Sequence, residues 1–100
     1  MYTVVNHLIF RDPVDPAVFA EFSTLADDLR ATDGFEAAHV VQTSEREVVL
    51  LIVGRDAEAL DRIATEAGSP WLMRTVVPRL AGAPDQQLGP VIASTSYGAA

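Results

Sequence analysis

The chain contains no cysteine. Disulfides, iron–sulfur clusters and thiolate zinc sites are thereby excluded. Histidine is nearly as scarce: the 2 residues are His7 and His39, far apart along the chain, so no metal site is expected. Positive charge is also short, with 7 basic residues against 14 acidic ones and a formal net charge of -7. Such a field repels phosphate backbones and anionic membrane surfaces, and no basic stripe reverses it locally. Neither nucleic acid nor a membrane is therefore expected as a partner. No apolar run approaches the roughly 18 residues that a membrane-spanning helix needs. The chain enters a strand pattern at Tyr2 without the basic segment, apolar core and cleavage site of a secretory signal, which makes a cytoplasmic location the expectation. P-loop, dinucleotide fingerprint and nucleophile elbow are likewise missing.

What the chain has in quantity is hydrophobic residues, 49% of its 100 positions. That length fits one domain, expected over residues 1–96 with a short tail at 97–100. The pattern is organised around Glu47 to Gly54, whose middle, Val48 to Val53, has no polar interruption. A β-branched run of this kind reads as a strand buried on both faces. Tyr2 to Phe10 behaves similarly, with Tyr2, Val4, Leu8 and Phe10 on one face and Thr3, Val5 and Ile9 on the other. Asn6 and His7 each place a polar group on an otherwise dry face.

Between these runs, Asp15 and Pro16 make an N-cap and first helical position. The helix is expected to reach about Thr32, with Val18, Phe19, Phe22, Leu25, Ala26 and Leu29 on its inner side. Phe35 to Thr43 alternates less cleanly and suits an edge strand. A second helix carries Leu60, Ile63, Ala64 and Ala67 inward and is expected to stop at Gly68. Ser69 and Pro70 start a short third segment, which Pro78 kinks or ends. Residues 81–87 read as loop and Leu88 to Ser96 as a lateral strand weakened by Gly89 and Pro90.

The order β, α, β, β, α, β is that of a ferredoxin-like α+β plait, an antiparallel sheet with both helices on one face. The first and third strands belong in the middle, and these are the two that are apolar on both sides. The helices of so short a chain cover one face. A second copy of the chain is the expected cover for the other, making a homodimer.

Four segments carry a resemblance: the Val5-Asn6 pair, Asp33-Gly34-Phe35, Gly54-Arg55-Asp56-Ala57-Glu58-Ala59, and Gly68-Ser69-Pro70. In this order and spacing, covering Tyr2 to about Ser94, the chain resembles the antibiotic-biosynthesis-monooxygenase-like group of the dimeric α+β barrel superfamily. The resemblance implies two sheets packed face to face across a two-fold axis and a ligand cleft between sheet and helices in each subunit. It also implies oxygen insertion into a small aromatic or polyketide-like compound with no flavin or metal cofactor. Asn6 stands where those relatives have a functional asparagine. Gly54 stands where they place a tryptophan at the end of the third strand. Arg74 and Thr75 stand where haem-degrading members place a ligating histidine, which disfavours haem degradation.

If Phe35 faces the helices, strand parity takes His39 to the same cleft, beside Asn6 and a Gly54 that leaves room for a ligand. His39 is then a candidate base with its charge change near working pH, and Asn6 a hydrogen-bond donor. Arg74 is a candidate anion partner, and Trp71 and Phe22 candidate lining residues. Each has a plainer reading: an exposed edge histidine, a satisfied core amide, a solvated arginine, aromatic anchors of the helices. His7 is expected inside the barrel as an interface residue. A non-catalytic dimeric barrel that binds an apolar ligand or a protein partner is the alternative to an oxygenase.

Overall fold

The computed structural model describes residues 1–95. Four strands, β1 (Tyr2–Ile9), β2 (Phe35–Gln42), β3 (Glu47–Gly54) and β4 (Asp85–Pro90), form one sheet in the order β2-β3-β1-β4. Every pairing is antiparallel. The two strands that are apolar on both parities occupy the centre, as expected. Even-numbered residues of β1 and β3 turn toward the helices, where Val4, Leu8, Val48, Leu50 and Ile52 are buried.

The first helical region begins as a 3-10 turn (Pro16–Phe19), in which the Asp15 carboxylate accepts from the Ala17 N–H at 3.0 Å. It restarts as α1 (Phe22–Ala31), so the single helix expected from Asp15 to Thr32 is in fact two pieces. Leu25 and Leu29 are its buried residues. The second helical region differs more from expectation. It begins as α2 (Ala57–Ile63) and does not stop at Gly68, whose φ of -67° and ψ of -53° are helical. Wider π-type turns (Ala64–Gly68 and Leu72–Val76) flank α3 (Ser69–Trp71), and a 3-10 turn (Val77–Arg79) follows. Pro70 accounts for the first widening, as Pro78 does for the second. It has no N–H to donate, and its ring crowds the carbonyl four residues back, which an ordinary α-turn cannot relieve. Ser69 accordingly donates to the Ala64 carbonyl, five residues back.

Asp56 caps α2 by accepting from the Ala59 N–H at 2.8 Å. That hydrogen bond, with Arg55 and Arg62 nearby, holds the Asp56 carboxyl below the usual carboxylate range. A depressed folded-state value stabilises the fold above the unfolded-state value, and the stabilisation is lost as the pH falls through the folded one. Asp56→Ala is therefore expected to lower the thermal midpoint at neutral pH, with the gap from wild type closing in acid. A gap that stays constant down to about pH 2 would show that the ionised cap contributes nothing.

β4 starts three residues before the strand read at Leu88 to Ser96 and already ends at Pro90. Asp85 to Gln87 are too polar to signal a strand alone, yet they pair with β1 at His7, Asn6 and Val5. Its lateral position agrees with expectation. Ser96 and the expected 97–100 tail lie outside the described residues. No helix among the described residues is long and apolar enough to cross a membrane.

Candidate functional site

Asn6 is the buried polar residue of the core, at 2% exposure. Strand pairing explains its surroundings. Asn6 sits opposite Leu50 of β3 and Gln86 of β4, and side chains directly opposite across antiparallel strands share a face. Its amide donates to the Leu50 carbonyl at 3.4 Å, and its oxygen accepts from the Gln86 amide at 2.6 Å. Gln86 falls in the stretch read as loop, so sequence reasoning missed it. The one signal that could have found it lies in β1, a central strand that needed a partner along its outer edge.

Above this amide pair, between the sheet and the second helical region, opens a cavity of about 460 Å³. Its floor is Val4, Asn6, Leu50 and Ile52, its roof Leu60, Ala64 and Leu72, and Tyr2, Gln86 and Leu88 also line it. That volume falls in the roughly 300–1,000 Å³ range of small-molecule sites, and apolar walls with few polar groups are their usual lining. The wide turn Ala64–Gly68 forms part of the roof, so the irregularity that Pro70 imposes lies at the cavity. Asp61 is the charged residue among those lining it.

The other candidates do not gather here. Phe35 faces the helices opposite Gly54, but the register shifts between Phe35 and Ala37, leaving Glu36 as an extra residue. This β-bulge reverses the parity of everything after it. His39 therefore pairs with Leu51 and stands exposed on the helix-free face, away from Asn6. Gly54 leaves no room for a ligand either. A Cβ placed there would lie 2.8 Å from the Leu60 backbone nitrogen, because α2 crosses the strand end at that point. Trp71 is buried at 3% exposure and packs against Phe19 and Phe22, with ring centroids 6.0 and 6.1 Å away. It anchors the two helical regions to each other, and its indole N–H has no hydrogen-bond partner among the described residues. Arg74, exposed, reaches Glu21 at 3.9 Å across a separate groove that Trp71 also lines. Of the six candidates, Asn6 alone lines the larger, apolar-walled cavity.

The helix-free face carries Val5, Val49, Leu51 and Val53, with Ile9 and Val41 exposed at 56% and 45%. His7 is on this face, its Nδ1 3.9 Å from a Glu47 carboxylate oxygen. No group of three histidine, aspartate or glutamate residues among those described is placed to hold a metal ion.

Compared by sequence, the chain matches no protein-family model and none of the curated proteins. Compared by structure, it is similar to SnoaB, a cofactor-independent oxygenase from Streptomyces nogalater, with a TM-score of 0.69 at 18% identity over 98% of this chain and 97% of that one. It is similar to a monooxygenase from the gene ActVA-Orf6 of Streptomyces coelicolor, solved in complex with nanaomycin D: TM-score 0.68, 18% identity, 93% and 92% coverage. A third structure, an antibiotic biosynthesis monooxygenase, gives a TM-score of 0.73 at 15% identity over 93% of this chain and 100% of that one. The ferredoxin-like α+β fold of this chain is that of the antibiotic biosynthesis monooxygenase proteins.

Proposed function

We propose that this protein is a homodimeric, cofactor-independent monooxygenase that takes a small aromatic or polyketide-like compound into the cavity beside Asn6. The observation that carries the reading is the cavity itself: a ligand-sized, apolar space with a buried amide on its floor, in a fold shared with oxygenases. An electron-rich phenol or anthrone that loses a proton passes an electron to dioxygen, and the radical pair recombines to a hydroperoxide. Loss of water then leaves a quinone, so substrate and dioxygen give quinone and water with no other reductant. Asn6 and Gln86 would donate hydrogen bonds to the oxygen on which charge develops. Pairing of two helix-free faces would cover the apolar row from Val5 to Val53 and bring His7 and His39 into or beside the contact.

Aerobic incubation with a hydroxylated anthracene or naphthalene tests the enzyme reading. Wild type is expected to oxidise the compound faster than buffer. Asn6→Ala is expected to lose at least about ten-fold in rate, the effect of removing one donor to a developing oxyanion being on the order of 10²–10³ where it is fully used. His39→Ala, on the opposite face, serves as the control. Oxidation by wild type at the buffer rate ends the oxygenase reading for that class of compound. One observation favours a second reading, a barrel that binds its ligand without transforming it: no histidine lines the cavity. Saturable binding without turnover would support that reading.

A further inference from the structure

We infer that the cavity selects an uncharged ligand, an apolar ring system bearing a hydroxyl or carbonyl group, and turns away the ionised form of the same skeleton. This rests on reading the cavity as the ligand site. The warrant is the charge inventory of its walls. All 7 basic residues are arginines, and none of them lines the cavity. The two on or beside α2 are drawn elsewhere: Arg55 and Arg62 reach the Asp33 carboxylate at 3.3 and 3.6 Å. Arg74 leans toward Glu21 over the other groove, and both histidines lie on the far face of the sheet. The charged wall group is the carboxylate of Asp61, an exposed residue. An anion entering this space would give up its water, find no opposite charge, and face a like one.

The polar end of the cavity points the same way. The amide of Asn6 uses one N–H on the Leu50 carbonyl and its oxygen on Gln86. Its second N–H, and the carbonyl and remaining N–H of Gln86, have no partner among the described residues. Two amides offer donors and an acceptor without net charge, which matches a neutral hydroxyl or carbonyl. The overall charge of -7 adds a long-range bias against anions approaching at all. In the oxygenase reading the substrate therefore enters protonated, and charge develops only once it is bound.

Titration calorimetry near pH 7.5 with three probes on one ring system tests this: 2-naphthamide, 2-naphthoate of the same size, and unsubstituted naphthalene. The amide is expected to bind wild type at least ten-fold more tightly than the carboxylate. Gln86→Leu, on the exposed edge strand, is expected to bring the amide down to the affinity of naphthalene. Asp61→Arg is expected to raise carboxylate affinity at least five-fold while leaving the amide unchanged. Thr65→Trp, at the exposed rim, is the block on occupancy and is expected to abolish binding of all three. Carboxylate binding within ten-fold of the amide, still blocked by Thr65→Trp, would overturn the charge selection and leave the cavity as the ligand site. Binding that survives Thr65→Trp, or no binding of any probe, would overturn the site reading and the inference with it.

Discussion

Gly54→Val is expected to lower the thermal midpoint by on the order of 15 °C, equivalent to roughly 3 kcal/mol for a domain of this size. The cause is a close approach and not a special backbone conformation. A Cβ at this position would stand 2.8 Å from the Leu60 nitrogen, 3.0 Å from its Cα and 3.1 Å from its Cβ. Two of those three neighbours are backbone of α2, which cannot rotate away. The helix is held there on both sides, by the Asp56 cap at its start and by the burial of Leu60 and Ile63 along it. Relief requires α2 to slide off the end of β3, which also disturbs the roof of the cavity. Gly82→Ala is the control, because nothing lies within 4 Å of a Cβ built there. It is expected to stay within about 0.5 kcal/mol of wild type. Thermal unfolding followed by circular dichroism reads both variants, and a Gly54→Val midpoint equal to that of wild type would mean that α2 does not cross the strand where the structure puts it.

If helix-free faces pair as proposed, Leu51→Lys is expected to convert the dimer to a monomer with the secondary structure intact. Leu51 is at the middle of the helix-free face, opposite Val5 on one side and His39 on the other. Its side chain takes no part in the buried core of the subunit, so the fold of one copy survives the change. In a symmetric interface the substitution occurs twice. Each large aliphatic side chain contributes roughly 1.5 to 3 kcal/mol when buried, so the two together are worth about 3 to 6 kcal/mol and at least 10²-fold in the dissociation constant. The introduced ammonium groups add a desolvation cost. Met73→Lys, at a side 63% exposed on the helical layer, is expected to leave association unchanged. Sedimentation velocity with circular dichroism separates the outcomes. Wild type that sediments as a single subunit at micromolar concentration, or a Leu51→Lys variant that stays paired, would refute the pairing of helix-free faces.

The candidate site was less legible in the sequence than the fold, and particular residues show why. Asn6 was visible because one amide in an otherwise apolar alternation is a local anomaly. Gln86 was invisible because a polar edge strand carries no hydrophobic period of its own; it is a strand because β1 needs a partner along its outer edge. His39 was misplaced by a single extra residue. Parity counted from Phe35 is sound only if pairing is continuous, and the bulge at Glu36 breaks it. Arg74, Trp71 and Phe22 all lie on helical stretches, and the sequence does not say which groove each enters. That depends on how the two helical regions lie against each other: Trp71 and Arg74 line a groove separate from the cavity beside Asn6, and Phe22 packs on the Trp71 ring.

The sequence by itself determined the element order, the two central strands, the capped helical start at Asp15 and Pro16, and the bare apolar face of the sheet. These follow from short-range periodicity, from local capping chemistry and from burial, to which each residue contributes independently of its distant neighbours. Only the tertiary structure decided which side chains share a cavity, that Gly54 is a crossing point and not a vacancy, and that no positive charge borders Asn6. Those properties are set by pairing register and helix placement, where one inserted residue or one proline reassigns many side chains at once.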